Sequence, residues 1–222
     1  MESLRELYVK PKSSIACRKA ATVIGHLRRR GSDAFFFATS PEAVRHIEGM
    51  IPPGAVVGLG GSVSVTQSGL LDALRKMPID LLDRYRDGLT PAEQDILRKR
   101  ALTADVFIMG CNALTADGRL VNMDGNGTRV APLISGPGRV ILLLGINKIV
   151  TTLDEALSRI KNIAAPLNAV RLGYDTPCAH SGFCDDNACT PPQRLCSQLT
   201  VIEANRIPGR LTAVLVGEEL GF

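Results

Sequence analysis

The strongest constraint on this chain is a series of short, almost unbroken apolar runs, each followed by a stretch of helical character. Val140 to Gly145 (VILLLG) is the most apolar of them. A run with no polar side to turn toward water must be covered on both faces, which is the condition of a strand inside a parallel sheet. Such runs alternating with helices imply right-handed βαβ crossovers and a three-layer α/β fold, a mostly parallel sheet flanked by helices. The spacing predicts strands over Asp33 to Ala38, Gly54 to Leu59, Ile79 to Leu82, Asp105 to Gly110 and Val140 to Gly145. Helices are expected from a cap at Ser13 or Ser14 to Arg30, from Ser40-Pro41, from Thr66 to Met77, from the capping box Thr90 to Glu93, and over Thr152 to Ala164. Toward the end, Thr200 to Ala204 and Leu211 to Val216 flank the turn Ile207-Pro208-Gly209 and predict an antiparallel C-terminal hairpin.

The length of 222 residues fits one domain with ample core. The net charge of +4, from 26 Lys plus Arg against 22 Asp plus Glu, is too mild for sequence-independent nucleic-acid binding. A local basic patch can still hold a small anion. No apolar run approaches the ~20 residues of a membrane span, and the charged N-terminus lacks the apolar segment of an export signal. A cytoplasmic protein without nucleic-acid or membrane partners is therefore expected. In that reducing setting the six Cys read as thiols or metal ligands before disulfides.

In an open parallel sheet ligands sit beyond the carboxyl ends of the strands, so the residues just after each strand carry the chemistry. Three such places stand out. In GLGGSVSVTQSGL, Gly60 and Gly61 permit close backbone approach, and Ser62, Ser64 and the following helix start offer donors to an anion. The competing reading is a tight strand-to-helix turn with Ser caps. Next, Asn112 follows Cys111, which reads as a small core thiol, and Asp117-Gly118 marks a small hairpin. Beyond it, Asn122, Asp124, Asn126 and Gly127 match the first half of an EF-hand loop, but Leu133 stands where its closing Glu should be, so the stretch reads as a polar active-site loop or turn. Finally Asn147 and Lys148 follow the most apolar strand, and Lys148 either points at the same crevice or is an exposed surface Lys. The basic runs Arg28 to Arg30 and Arg98 to Arg100 fall at helix C-termini, where the dipole favours cations.

The segment TPCAHSGFCDDNACTPPQRLC places Cys178, Cys184, Cys189 and Cys196 in a Cys-rich loop, 178–196. Four thiolates can close a zinc site or hold an iron–sulfur cluster, yet neither the paired knuckles of a zinc ribbon nor a cluster run is present. Free or redox-active thiols and disulfides remain the other readings. His180 reads as a solvated loop residue.

Over nearly its whole length the chain resembles the lactate-utilisation (LUD) domain family. The resemblance is carried by GLGGSVSVTQSGL, GCNALTADGRLVNMDGNGTRVAPLISGPGRVILLLGINKIV, NIAAPLNAVRLGYDTPCAHSGFC and the closing VGEELGF. It implies a single LUD-type domain over 1–222, with a fold like that of the NagB/RpiA/CoA-transferase group and ligand loops at the strand ends. Gly60, Gly61, Ser62, Asn112, Asn122, Asp124, Gly127, Arg129, Asn147 and Lys148 lie in the family-like motifs. The chain reads GCNA where the family usually has GANA, and Cys184 to Cys189 is longer than the usual CxxC. Related sugar-phosphate isomerases often carry an Asp where Asn112 stands, which disfavours proton-transfer isomerisation unless Asp124 substitutes. The implied function is binding of a small anionic metabolite in lactate or related organic-acid oxidation, with iron–sulfur redox subunits as partners and a homo-oligomer as a further option. Acyl or CoA transfer, phosphosugar chemistry and a non-catalytic assembly role are the alternatives.

Overall fold

The structure is a computed structural model that describes the backbone over residues 4–222 and the side chains over 14–222. Its strands are β1 (Asp33–Phe37), β2 (Val56–Leu59), β3 (Asp80–Leu82), β4 (Val106–Met109), β5 (Ala113–Thr115), β6 (Leu120–Asp124), β7 (Arg139–Gly145), β8 (Ile149–Val150), β9 (Gln198–Ile202) and β10 (Leu211–Val216). Six of them form a sheet in the order β1-β10-β7-β4-β2-β3, with every neighbouring pair parallel. The other four form a second sheet, β8-β5-β6-β9. The helices are α1 (Leu4–Arg29), α2 (Ser40–Gly49), α3 (Val63–Gln67), α4 (Leu70–Leu74), α5 (Pro91–Ala101), α6 (Val130–Ile134), α7 (Leu153–Arg159), α8 (Ala165–Leu172) and α9 (Pro177–Ser181).

Burial on both faces explains the apolar runs. In β7, Val140, Leu142 and Leu144 enter the core shared with α1 and α5, while Ile141 and Leu143 enter the opposite core under α2, α3 and α4. The same two-residue period sends Leu211, Ala213 and Leu215 of β10 one way and Val214 and Val216 the other. Each of the Val, Leu and Ile side chains among them contributes about 1.5–3 kcal/mol by leaving water. A third, smaller core joins the second sheet to α7 through Ala113, Val121, Ala156 and Ile160.

The three-layer α/β reading holds, with three corrections. The C-terminal hairpin does not exist: β9 pairs antiparallel with β6 in the second sheet, and β10 runs parallel between β1 and β7. All six β10 residues are buried, which a hairpin beside the sheet would not allow. The helix expected over Thr66 to Met77 is instead α3 and α4, broken at Gly69, whose φ of 82° lies in the left-handed region. The first helix begins at Leu4, so Ser13 and Ser14 lie inside it rather than capping it. The small hairpin at Asp117-Gly118 is present as β5 and β6, with Gly118 at φ 89°. No helix among the described residues is long and apolar enough to cross a membrane.

Candidate functional site

Because the sheet is parallel, the loops after β2, β4, β7 and β10 all emerge at one end, and there they surround a cavity of about 380 Å3. Of the residues expected at the site, Gly61, Ser62, Ser64, Asn112, Asp124, Arg129 and Lys148 line it. Gly60, Asn122, Gly127 and Asn147 do not. Gly60 is a packing position, where a Cβ would stand 3.0 Å from Met109 and 3.2 Å from Arg129. Asn147 ties down the chain end: its carboxamide accepts from the Leu220 amide at 3.1 Å and donates to the Gly221 carbonyl at 3.1 Å.

The glycine-serine loop forms a wall of the cavity, but much of its polar chemistry is already used. The Ser62 amide donates to Tyr85 Oη at 2.8 Å, and Tyr85 Oη donates to the Gly60 carbonyl at 3.2 Å. Ser62 Oγ caps α3 by accepting from Val65, and Ser64 Oγ donates to the Leu220 carbonyl. The tight, Ser-capped turn is thus the better description of this segment. Asp124 is likewise engaged, accepting from the backbone amides of Gly125 at 3.0 Å and Arg129 at 2.7 Å. A carboxylate held this way starts the turn into α6, and it has little left to offer as a general base or to calcium. Asn122 is buried, with its carboxamide donating to Cys111 Sγ at 3.4 Å.

Asn112 acts as a hub. Its Oδ1 accepts from the Met123 amide at 2.9 Å and lies 3.5 Å from Arg129 Nη2, while its backbone carbonyl accepts from Arg159 Nη1 at 2.7 Å. Arg129 also donates to the Met123 carbonyl. Arg159 Nε donates to the Asn147 carbonyl at 3.0 Å, so one guanidinium joins the loops after β4 and β7. A π turn, Ile160–Ala164, follows Arg159 and sets Ile160 and Ala164 against the cavity. Burial pushes the Arg159 guanidinium below its ordinary pKa.

Lys148 sits in the 3-10 turn after β7 and is 2% exposed, so of its two readings, a crevice Lys or an exposed surface Lys, the second does not hold. Burial, then repulsion from Arg159 and Arg129, pushes its pKa down to about 7, with only the Cys111 thiol acting the other way. No carboxylate stands among these influences. Cys111 is buried, and that burial raises its pKa, keeping it a neutral thiol. It donates to the Ala113 carbonyl at 3.1 Å, as befits a core Cys.

Sequence reasoning missed most of the positive charge. Arg84, Arg98 and Arg171 line the cavity together with Arg129 and Lys148, against a single acidic side chain, Asp124. The pattern of charges places Arg98 with Lys99 and Arg100 on a solvated helix end. Instead its Nε is buried and without a hydrogen-bond partner. Arg84 lies in the connection from β3 to α5, and burial lowers its pKa. The available signal was the crowding of Arg84, Arg86, Arg98 and Arg100 around a short strand and an N-capped helix.

The Cys-rich loop lies next to this cavity. Cys178, Cys184, Cys189 and Cys196 line a second, smaller cavity of about 20 Å3, and all four are free. Among the described residues no three His, Cys, Asp or Glu side chains are placed to hold a single metal ion as they stand. Burial, then the neighbouring cysteines, pushes the Cys196 thiol up to about 11. His180 is exposed and pairs with Asp175 at 2.6 Å, away from the thiols.

The molecule is an α/β protein whose parallel sheet carries, at the carboxyl ends of its strands, a cavity lined largely by basic side chains. The model of the LUD domain family matches residues 20–216, and the chain belongs to that family. No curated protein matches the chain. Similar solved structures include a DUF162 family protein from Deinococcus radiodurans, 15% identical with a TM-score of 0.49, over 91% of this chain and 98% of that one. Another is eIF2B delta from Chaetomium thermophilum, 18% identical with a TM-score of 0.36, over 54% of this chain and 50% of that one. A variant of the decarboxylase AibA/AibB is 18% identical with a TM-score of 0.33, over 47% of this chain and 58% of that one.

Proposed function

We propose that this LUD-domain protein binds a small carboxylate metabolite in the strand-end cavity, as a component of lactate-like organic-acid oxidation. The observation that carries this reading is Lys148, a nearly fully buried cation beside a cavity whose lining has five basic side chains and one acid. A buried charge without a counter-charge is costly, and a bound carboxylate removes that cost while gaining charge-assisted hydrogen bonds. The anion would meet the Lys148 ammonium at the floor and the guanidiniums of Arg84 and Arg129 along the wall. Membership of the LUD family supports the organic-acid setting.

Calorimetric titration with L-lactate, pyruvate and inorganic phosphate, below neutral pH, tests it. A carboxylate should bind with a Kd in the range of about 1 μM to 1 mM. Lys148→Met should weaken that binding at least about tenfold. Equal binding by the variant, or no carboxylate binding at all, contradicts the reading. Preference for phosphate over both carboxylates would move the protein to phosphosugar chemistry.

A further inference from the structure

The loop joining α9 to β9 is built unlike the rest of the molecule. From Pro177 to Ser197 no residue is buried, so no hydrophobic core holds this segment in shape. Its four cysteines nevertheless come together from separated sequence positions to line one cavity of about 20 Å3, room for a body the size of a water molecule or slightly larger. None of them is in a disulfide.

The frame around the thiols is polar and specific. Arg194 donates to the backbone carbonyls of Cys189 and Cys196, each at 3.0 Å, and to that of Asp186 at 3.1 Å. One guanidinium therefore fixes two of the four cysteines relative to each other. The Thr176 hydroxyl, on a residue 2% exposed, lies 3.3 Å from Cys178 Sγ. Lys161 reaches the same cavity and pairs with Asp186 at 3.0 Å. Two cations beside four thiols suit a centre that is negatively charged once the thiols ionise.

We propose that Cys178, Cys184, Cys189 and Cys196 together hold one thiolate-bound metal centre, which serves this loop in place of a core. Each thiol releases its proton to solvent as it ligates, and the metal supplies the cohesion that apolar burial supplies elsewhere. As they stand, the thiols ring a void rather than meet at a point. Two soft centres suit such a set: a zinc ion onto which the loop contracts, or an iron–sulfur cluster, in which each thiolate takes a different iron and for which the loop opens beyond its present 20 Å3. Ala165, Leu195 and Cys196 line both this cavity and the anion cavity, so the centre forms part of the wall beside the proposed carboxylate site. The inference does not depend on what that larger cavity binds.

The test is metal and acid-labile sulfide analysis of the full chain purified without oxygen and without chelator. The site is supported by about one zinc per chain, or by about four irons with matching sulfide and a visible charge-transfer absorption. The double variant Cys184→Ser, Cys189→Ser should lose that metal and become cleavable by protease within 178–196. Its circular dichroism should stay that of the intact α/β domain, because the loop lies outside the hydrophobic cores. Less than about a third of a metal atom per chain in the wild type, with all four thiols open to titration, overturns the proposal. So does a variant that keeps the full metal content. Carboxylate titration of the same preparations reports on the larger cavity separately, so failure of one reading leaves the other standing.

Discussion

At the scale of single residues, the site turns on a lysine whose identity was visible in sequence and whose burial was not. Lys148 directly follows the apolar strand, which marked it as a strand-end residue. Beside its ammonium runs the strap Leu220–Phe222, tied down by Asn147 and by Ser64, where a Cβ on Gly221 would stand 3.6 Å from Lys148 Nζ. Those are contacts across more than seventy positions of sequence. In the folded chain Lys148 titrates near 7 against an ordinary 10.5. The unfolded chain therefore holds a proton that the folded chain lacks between those values, so this residue makes stability rise with pH across that window. At and below pH 7 its charge is a burden on the fold. Lys148→Met should accordingly raise the melting temperature by a few degrees near neutral pH, an effect that fades toward pH 10. An unchanged or lowered melting temperature would show that the ammonium is solvated. Carboxylate affinity should fall by about tenfold per pH unit above about pH 7, because the neutral amine has no charge to offer the ligand. A flat titration between pH 6 and pH 9, in calorimetry, would remove Lys148 from the site.

At the scale of elements, strand and helix identities were largely legible because burial on both faces leaves unbroken apolar runs. Partners were less legible. VILLLG, DVFIMG and DAFFFA read as strands and are β7, β4 and β1, and the capping box at Thr90 opens α5 as expected. The hairpin failed because a Pro-Gly turn between two apolar segments looks the same whether the strands pair or part into different sheets. Here Arg210 makes the difference. Its buried guanidinium donates to the carbonyls of Leu133 and Pro132, both at 2.9 Å, and so fastens the entry of β10 beneath the end of α6. Arg210→Ala leaves both carbonyls unsatisfied and should cost about 2–4 kcal/mol, read by denaturant unfolding. Leu142→Ala, at a fully buried position in the central strand β7, should cost about 2–5 kcal/mol in the same assay. A loss below about 1 kcal/mol at Leu142 would contradict its place between two packed layers.

At the scale of the whole molecule, the candidate site follows from one geometric fact, that parallel strands deliver their following loops to the same end. That rule makes Ser62, Asn112 and Lys148 legible as neighbours from the order of residues alone, and all three line the cavity. The arginines were not legible, because the folds that bring Arg84 and Arg98 to the crevice lie outside the strand-end rule. The mild net charge of +4 conceals a cavity lining with five basic side chains and one acid. The glycine loop, by contrast, looked more like a ligand cradle in sequence than it is, since Tyr85 and the Ser62 cap take up its donors. The most direct measurement of the central claim is a crystal structure of the protein with the carboxylate that titration shows to bind best. The carboxylate should lie within hydrogen-bond distance of Lys148 Nζ, with a guanidinium of the cavity wall on its other side. A carboxylate bound elsewhere, leaving Lys148 in contact only with protein, would contradict the account.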